Sequence, residues 1–266
     1  MLCVACLLTA SAAMAQTDQE SSGNATEIQR FEVVTIRPHP ADGGNNSMIM
    51  MPPGRYEAKN VTVKTLIEEA YNVPADQISG GPPWLEKQRF DVSAKIPDES
   101  WEQIKKLRST DQEKPIHDML QVLLKDRFQL VVSHQPRELR VYALVQASGG
   151  AKLRPHEAPK PQEGKEESGG TDPEKSYMMM TALDVPVTAL ANFLAGHMGR
   201  TVLDQTGLAG RFDIELNVAL PTDNNQDEVD TALFQALEDQ LGLKLVSRKA
   251  TVDTIRLDHL EEPSEN

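Results

Sequence analysis

Cysteine is nearly absent from this 266-residue chain, and both copies, Cys3 and Cys6, fall within its first six residues. The apolar stretch around them, residues 2–13, is too short to span a bilayer and leads into Ala13-Met14-Ala15, a small-x-small cleavage signature. We read residues 1–15 as a secretory signal and residues 16–28 as a disordered leader. The mature chain then carries no thiol, which excludes disulfides, Cys-metal sites and a Cys nucleophile. Aromatics make up only 5% of residues, so a core must be built from Leu, Val, Ile, Ala and Met, which suits two modest cores better than one large one.

Positive charge is also scarce. With 27 Lys and Arg against 40 Asp and Glu, the formal net charge is −13. Such a surface repels phosphate backbones and anionic lipid, which argues against nucleic acid or a membrane surface as partner. No run approaches the roughly 20 apolar residues of a membrane span. Catalytic motifs are missing too: the sequence contains no Gly-x-Ser-x-Gly elbow, Walker phosphate loop or Gly-x-Gly-x-x-Gly fingerprint. The histidines, His39, His117, His134, His156, His197 and His259, are scattered without His-x-His or His-Glu-x-x-His spacing, and we read them as separate residues. No cofactor and no metal is expected.

What the chain does contain is a repeat. Arg89-Phe90-Asp91 is written again as Arg211-Phe212-Asp213, each time after a Gly-rich bend. The flanks also correspond. Val63, Leu66, Ile67 and Ala70 carry the i, i+3, i+4, i+7 stripe of a helix with one buried face, and Val187, Leu190, Ala191 and Leu194 carry it again. Asn60, Thr62 and Asp184 are candidate caps for these helices. Phe90, Val92, Ala94 and Ile96 alternate with polar residues, as do Phe212, Ile214, Leu216 and Val218, the period of a strand with one face on a core. Phe90 and Phe212 should point inward, and Arg89, Asp91, Arg211 and Asp213 outward. A second helix follows in each copy, then a closing hairpin. An extra strand over residues 31–36 precedes the first copy.

The expected architecture is therefore α+β, with two tandem related units, each of two helices packed on small mixed sheets. The first spans residues 29–146 and the second residues 177–262. Between them, residues 147–176 are dense in Gly, Pro, Glu and Lys and read as a flexible linker.

Several separated motifs occur in one order: QISGGPPWLEKQRFDV, MLQVLLKDRFQLVV and RELRVYALV, then VLDQTGLAGRFDIELNV and LFQALEDQLGLKL. In these the chain resembles a family of exported soil-bacterial proteins defined as a domain of unknown function. More loosely, DVPVTALANFLAGHMGRTV and ALFQALEDQLGLKL are similar to the short N-terminal domain shared by secretins and TonB-dependent receptors. That resemblance implies two helices packed with small sheets, and work by protein contact in the periplasm.

Candidate site residues follow from local chemistry. Gly80-Gly81-Pro82-Pro83-Trp84 is a rigid bend that offers an aromatic anchor for a partner or a sugar ring. Arg89, Asp91, Arg211 and Asp213 would line a polar groove if the two sheets met. The leading expectation is an exported, non-enzymatic interaction or sensing module in the periplasm, or secreted, that binds an envelope or periplasmic protein by strand addition or in a groove. One alternative is an envelope- or plant-glycan hydrolase using the groove carboxylates. Another is a copper-binding protein using the runs Met48, Met50, Met51 and Met178, Met179, Met180.

Overall fold

The structure, a computed structural model, describes residues 30–40, 46–157, 177–219 and 225–263. The expected signal and leader, and most of the expected linker, lie outside the described residues. The first half runs β1 (Val33–Pro38), β2 (Met48–Met50), β3 (Arg55–Thr62), α1 (Val63–Tyr71), β4 (Ile78–Gly80), β5 (Arg89–Lys95), α2 (Asp98–Ile104), α3 (Glu113–Phe128) and β6 (Val131–Gln146). The second runs β7 (Arg154–Pro155), β8 (Tyr177–Val185), α4 (Val187–Met198), β9 (Val202–Asp204), β10 (Phe212–Ala219), α5 (Gln226–Ala236) and, after a π-helical turn at Leu237–Leu241, β11 (Leu243–His259). The fold is α+β.

Local chemistry accounts for the elements. The Thr62 hydroxyl accepts from the Thr65 N–H at 3.1 Å and starts α1, a cap contributing about 1 kcal/mol. Asn72, at φ +48°, ends the helix in the left-handed conformation. Between those caps Val63, Leu66, Ile67 and Ala70 are buried. In α4 the matching stripe of Val187, Leu190, Ala191 and Leu194 is buried, and Gly199 closes the helix. Along β5 and β10 every second residue is buried, with Phe90 and Phe212 facing inward.

Asn60 and Asp184 are not helix caps. Both have positive φ, +55° and +53°, and sit at irregularities in the β3–β5 and β8–β10 ladders. Thr62 caps α1, and Pro186 occupies the corresponding position before α4. Asn and Asp suit both roles because a short polar side chain serves a cap and also tolerates left-handed backbone.

Three sheets form. The first has strand order β1-β5-β3-β2, the second β7-β10-β8, and the third β4-β11-β6-β9. The closing hairpins expected from the sequence are instead two long strands. β6 and β11 pair antiparallel with each other from Val131 opposite His259 to Gln146 opposite Leu243. β4 of the first half joins β11, and β9 of the second half joins β6, both in parallel. No tight turn interrupts either long strand, so each continues across the molecule to the other half.

The cores show what this exchange does. In the first core Tyr56, Leu66, Phe90, Leu120 and Phe128 pack with Ile255 and Leu257 from the far end of β11. In the second core Leu190, Leu194, Phe212, Ile214 and Leu237 pack with Leu144 from the far end of β6. Each half thus supplies apolar side chains to the other's core, at about 1.5–3 kcal/mol per fully buried side chain.

Candidate functional site

The ladder irregularities explain the repeated Arg-Phe-Asp. A left-handed residue in a strand turns its N–H and C=O out of the regular ladder, and both need partners. In the first half the Asn60 N–H donates to Asp91 Oδ1 at 2.9 Å, and Arg89 Nη1 donates to the Asn60 carbonyl at 2.8 Å. In the second half the Asp184 N–H donates to Asp213 Oδ1 at 3.0 Å, and Arg211 Nη2 donates to the Asp184 carbonyl. The phenylalanine of each triplet enters the core, while the flanking Arg and Asp reach sideways to the bulge. Arg211 Nε also pairs with Asp184 Oδ1 at 2.6 Å.

A histidine completes each arrangement. His39 Nδ1 lies 2.7 Å from Asp91 Oδ1, and His156 Nδ1 lies 2.7 Å from Asp213 Oδ1. The backbones agree as well: the His39 N–H donates to the Arg89 carbonyl at 2.8 Å, and the His156 N–H to the Arg211 carbonyl at 2.8 Å. In each pair the ring Nδ1 faces a carboxylate oxygen, which accepts. His39 Nε2 is buried with no partner among the described residues. Burial pushes the Asp213 carboxyl up, but the Asp184 N–H and the His156 ring outweigh it and hold the group below its ordinary range.

The two histidines were not joined by the sequence reading. The signal was present: Ile36-Arg37-Pro38-His39 recurs as Leu153-Arg154-Pro155-His156. The second of these runs falls inside the segment whose composition reads as linker. There Arg154 and Pro155 pair with Asp213 and Phe212, so the start of that segment is held to the second sheet.

Arg89 and Asp91 belong to the first sheet and Arg211 and Asp213 to the second, each carboxylate engaged by its own bulge and histidine. The methionines are separated in the same way. Met48 and Met50 are exposed on β2 of the first sheet, whereas Met179 is exposed and Met180 packs against the second core on β8 of the second sheet. Among the described residues no group of three His, Cys, Asp or Glu side chains is arranged to hold a metal ion.

The Gly-Pro-Trp bend serves the junction of the halves. Gly80, at φ +82°, ends β4 beside β11, where a Cβ would lie 2.9 Å from the Leu257 carbonyl oxygen. At Gly81 a Cβ would meet Leu85 at 2.9 Å and Leu257 at 3.0 Å. Pro82 and Pro83 lead into a turn in which the Leu85 N–H donates to the Pro82 carbonyl at 3.1 Å. Trp84 is partly buried and packs on the first core.

A cleft of about 600 Å³ opens beside β10. Leu153, Ile214, Leu241 and, from β8, Leu183 give it apolar lining, Lys152 and Arg154 bring positive charge, and Thr181, Asp213, Glu215, Asn217 and Gln240 present polar groups. Its origin is a difference between the first and second sheets. β1 runs along β5 from Pro38 opposite Phe90 to Val33 opposite Lys95. β7 lies along β10 only at Phe212 and Asp213, because Lys152 turns away to donate its N–H to the Leu241 carbonyl at 2.8 Å. Further along β10, the Gln240 side chain stands in for a strand. Its Oε1 accepts from the Asn217 N–H at 3.0 Å and its Nε2 donates to the Asn217 carbonyl at 2.7 Å.

Neither a curated protein nor a solved structure matches the sequence. A family model described as Protein of unknown function (DUF3738) matches residues 64–260, which take in both long strands, both Arg-Phe-Asp triplets and the cleft. The chain belongs to that family.

Proposed function

We propose that this protein is an exported, non-enzymatic interaction module, built from two copies of one unit, that receives an extended segment of a partner protein beside β10. The observation that carries the reading is the cleft along residues 214–217, where β5 of the first half has β1 and β10 has no strand among the described residues. An added strand would find unused backbone at Glu215, apolar lining at Ile214 and Leu241, and two cations, Lys152 and Arg154, for an acidic side chain. Asn217 would exchange its Gln240 amide for the incoming backbone.

The duplication is supported by the shared order of strand, helix, short strand, strand, helix, long strand in β3 to β6 and β8 to β11, α2 being an addition in the first. The matched His–Asp–bulge arrangements support it further. Export to the periplasm rests on the apolar segment and small-x-small signature of residues 1–15. The likeness of the second half to the short domain of secretins and TonB-dependent receptors supports protein contact as the work done.

The test is affinity capture from the periplasm of the source organism, with the full chain and a Glu215→Pro variant as baits. The Asn217 N–H faces the Gln240 side, so by alternation the Glu215 N–H faces the same open edge, and proline there removes no bond to β8. A specific envelope protein retained by the parent and lost at least tenfold by the variant supports strand addition. Equal retention by both baits overturns it.

A further inference from the structure

The cleft beside β10 is shut at one end. Arg154 and Pro155 of β7 occupy the edge of β10 at Asp213 and Phe212, and the His156 N–H takes the Arg211 carbonyl at 2.8 Å. Along β10, Arg211, Asp213, Glu215 and Asn217 alternate onto that edge with their backbone groups. Had β7 continued, Lys152 would stand opposite Glu215, but its N–H goes to the Leu241 carbonyl instead. An added strand can therefore pair at Asn217 and Glu215, whereas the next place along the same edge is taken. Such a strand enters past Asn217 and has to stop beside Leu153.

Charge decides which end of a chain fits there. Both anions lining the cleft have partners: Asp213 takes the Asp184 N–H at 3.0 Å and lies 2.7 Å from His156 Nδ1, and Glu215 accepts from Asn217 Nδ2 at 3.2 Å. Neither cation, Lys152 nor Arg154, meets a carboxylate among the described residues. Lys152 Nζ donates to the Asp239 carbonyl at 2.8 Å, which leaves its charge unneutralised. We propose, resting on the strand-addition reading above, that the occupant is the C-terminal end of a partner chain, laid antiparallel to β10 with its terminal carboxylate against Lys152 and Arg154. In that orientation the last residue stands opposite Glu215 and its carboxylate accepts from the Glu215 N–H. The residue two before it displaces the Gln240 amide from Asn217. Between them, the next-to-last side chain turns to the inner face of the sheet, where Ile214 and Leu241 line the cleft, and is apolar. The parallel orientation would instead bring an N-terminal ammonium to the same two cations.

A random-peptide library displayed with free C-termini should yield ligands for the full chain, enriched for an apolar residue next to last. Synthetic peptides from that selection, measured by fluorescence anisotropy, should bind at least about tenfold more weakly as C-terminal amides than as acids. Acetylating their N-termini should change nothing. The double variant Lys152→Met/Arg154→Met, at two exposed positions, should bind acid and amide alike with an unchanged circular dichroism spectrum. Amides that bind as well as acids overturn the proposal, as does acetylation that abolishes binding; if Glu215→Pro still removes that binding, strand addition itself stands. A library that yields no ligand, or ligands indifferent to Glu215→Pro, overturns both.

Discussion

The backbone N–H of Thr201, just ahead of β9, donates to both carboxylate oxygens of Asp76, just ahead of β4, at 3.1 and 3.0 Å. The Thr201 hydroxyl donates to the same carboxylate at 2.9 Å. Asp76 belongs to the first half and Thr201 to the second, and Thr201 is 2% exposed. Asp76→Ala would leave a buried N–H and hydroxyl without their acceptor, a loss of about 2–4 kcal/mol. For a chain of this size the melting temperature should fall by roughly 4–12 °C, measured by thermal unfolding at neutral pH. A change below about 1 °C would mean that solvent replaces the carboxylate and that the halves do not depend on this contact.

The exchange of long strands makes a stronger demand. Without β11, the first core loses Ile255 and Leu257, and β4 loses the strand it pairs with. Without β6, the second core loses Leu144, and β9 loses its partner. Two Leu or Ile side chains at about 1.5–3 kcal/mol each approach the whole stability margin of a small domain. Residues 30–157 expressed alone should therefore show no cooperative unfolding transition, and mixing them with residues 177–263 should restore one. A sharp melt from the first fragment alone would refute this coupling.

Much of this architecture is legible in the sequence, because period two and period 3.6 mark which face of an element is buried. Phe90, Val92 and Ala94 declare their strand, and Leu66, Ile67 and Ala70 their helix. Periodicity does not say whose core a face enters. Ile255 and Leu257 alternate correctly for a strand, yet nothing in their spacing assigns them to the first core. Asn60 and Asp184 were ambiguous between cap and bulge because one chemistry serves both. His156 was hidden by the Pro, Glu and Lys of its surroundings, although Arg154-Pro155-His156 repeats Arg37-Pro38-His39. The cleft is the least legible feature, since it arises from β7 pairing at only two positions of β10.

Gly80 tests the junction from another side. Its Cβ would approach the Leu257 backbone oxygen to 2.9 Å at φ +82°, so Gly80→Ala forces β4 and β11 apart as well as straining the backbone. Gly207, at φ +70° with nothing within 4 Å of its Cβ position, isolates the strain alone. Gly207→Ala should cost roughly 1 kcal/mol, and Gly80→Ala at least about 2 kcal/mol more. Urea unfolding of both variants gives the comparison, and equal losses would show that the close approach to Leu257 relaxes freely.

Asp213 gives the fold a defined acid response. Its carboxyl sits below its ordinary range because the Asp184 N–H and the His156 ring favour the anion more than burial opposes it. A carboxylate whose folded pKa lies below its unfolded value, near 4, binds fewer protons when folded. Its stabilising contribution is complete above the unfolded pKa and is lost as pH falls through the folded one. Asp213→Asn removes the charge while keeping the shape, so at pH 7 the variant should be less stable by about 1–2 kcal/mol, the scale of weakened charge-assisted hydrogen bonds. As pH is lowered below about 4, the parent loses its advantage and the two urea midpoints should converge. A gap that stays constant from pH 7 to pH 3 would mean that the carboxylate is not the charged acceptor of the Asp184 bulge.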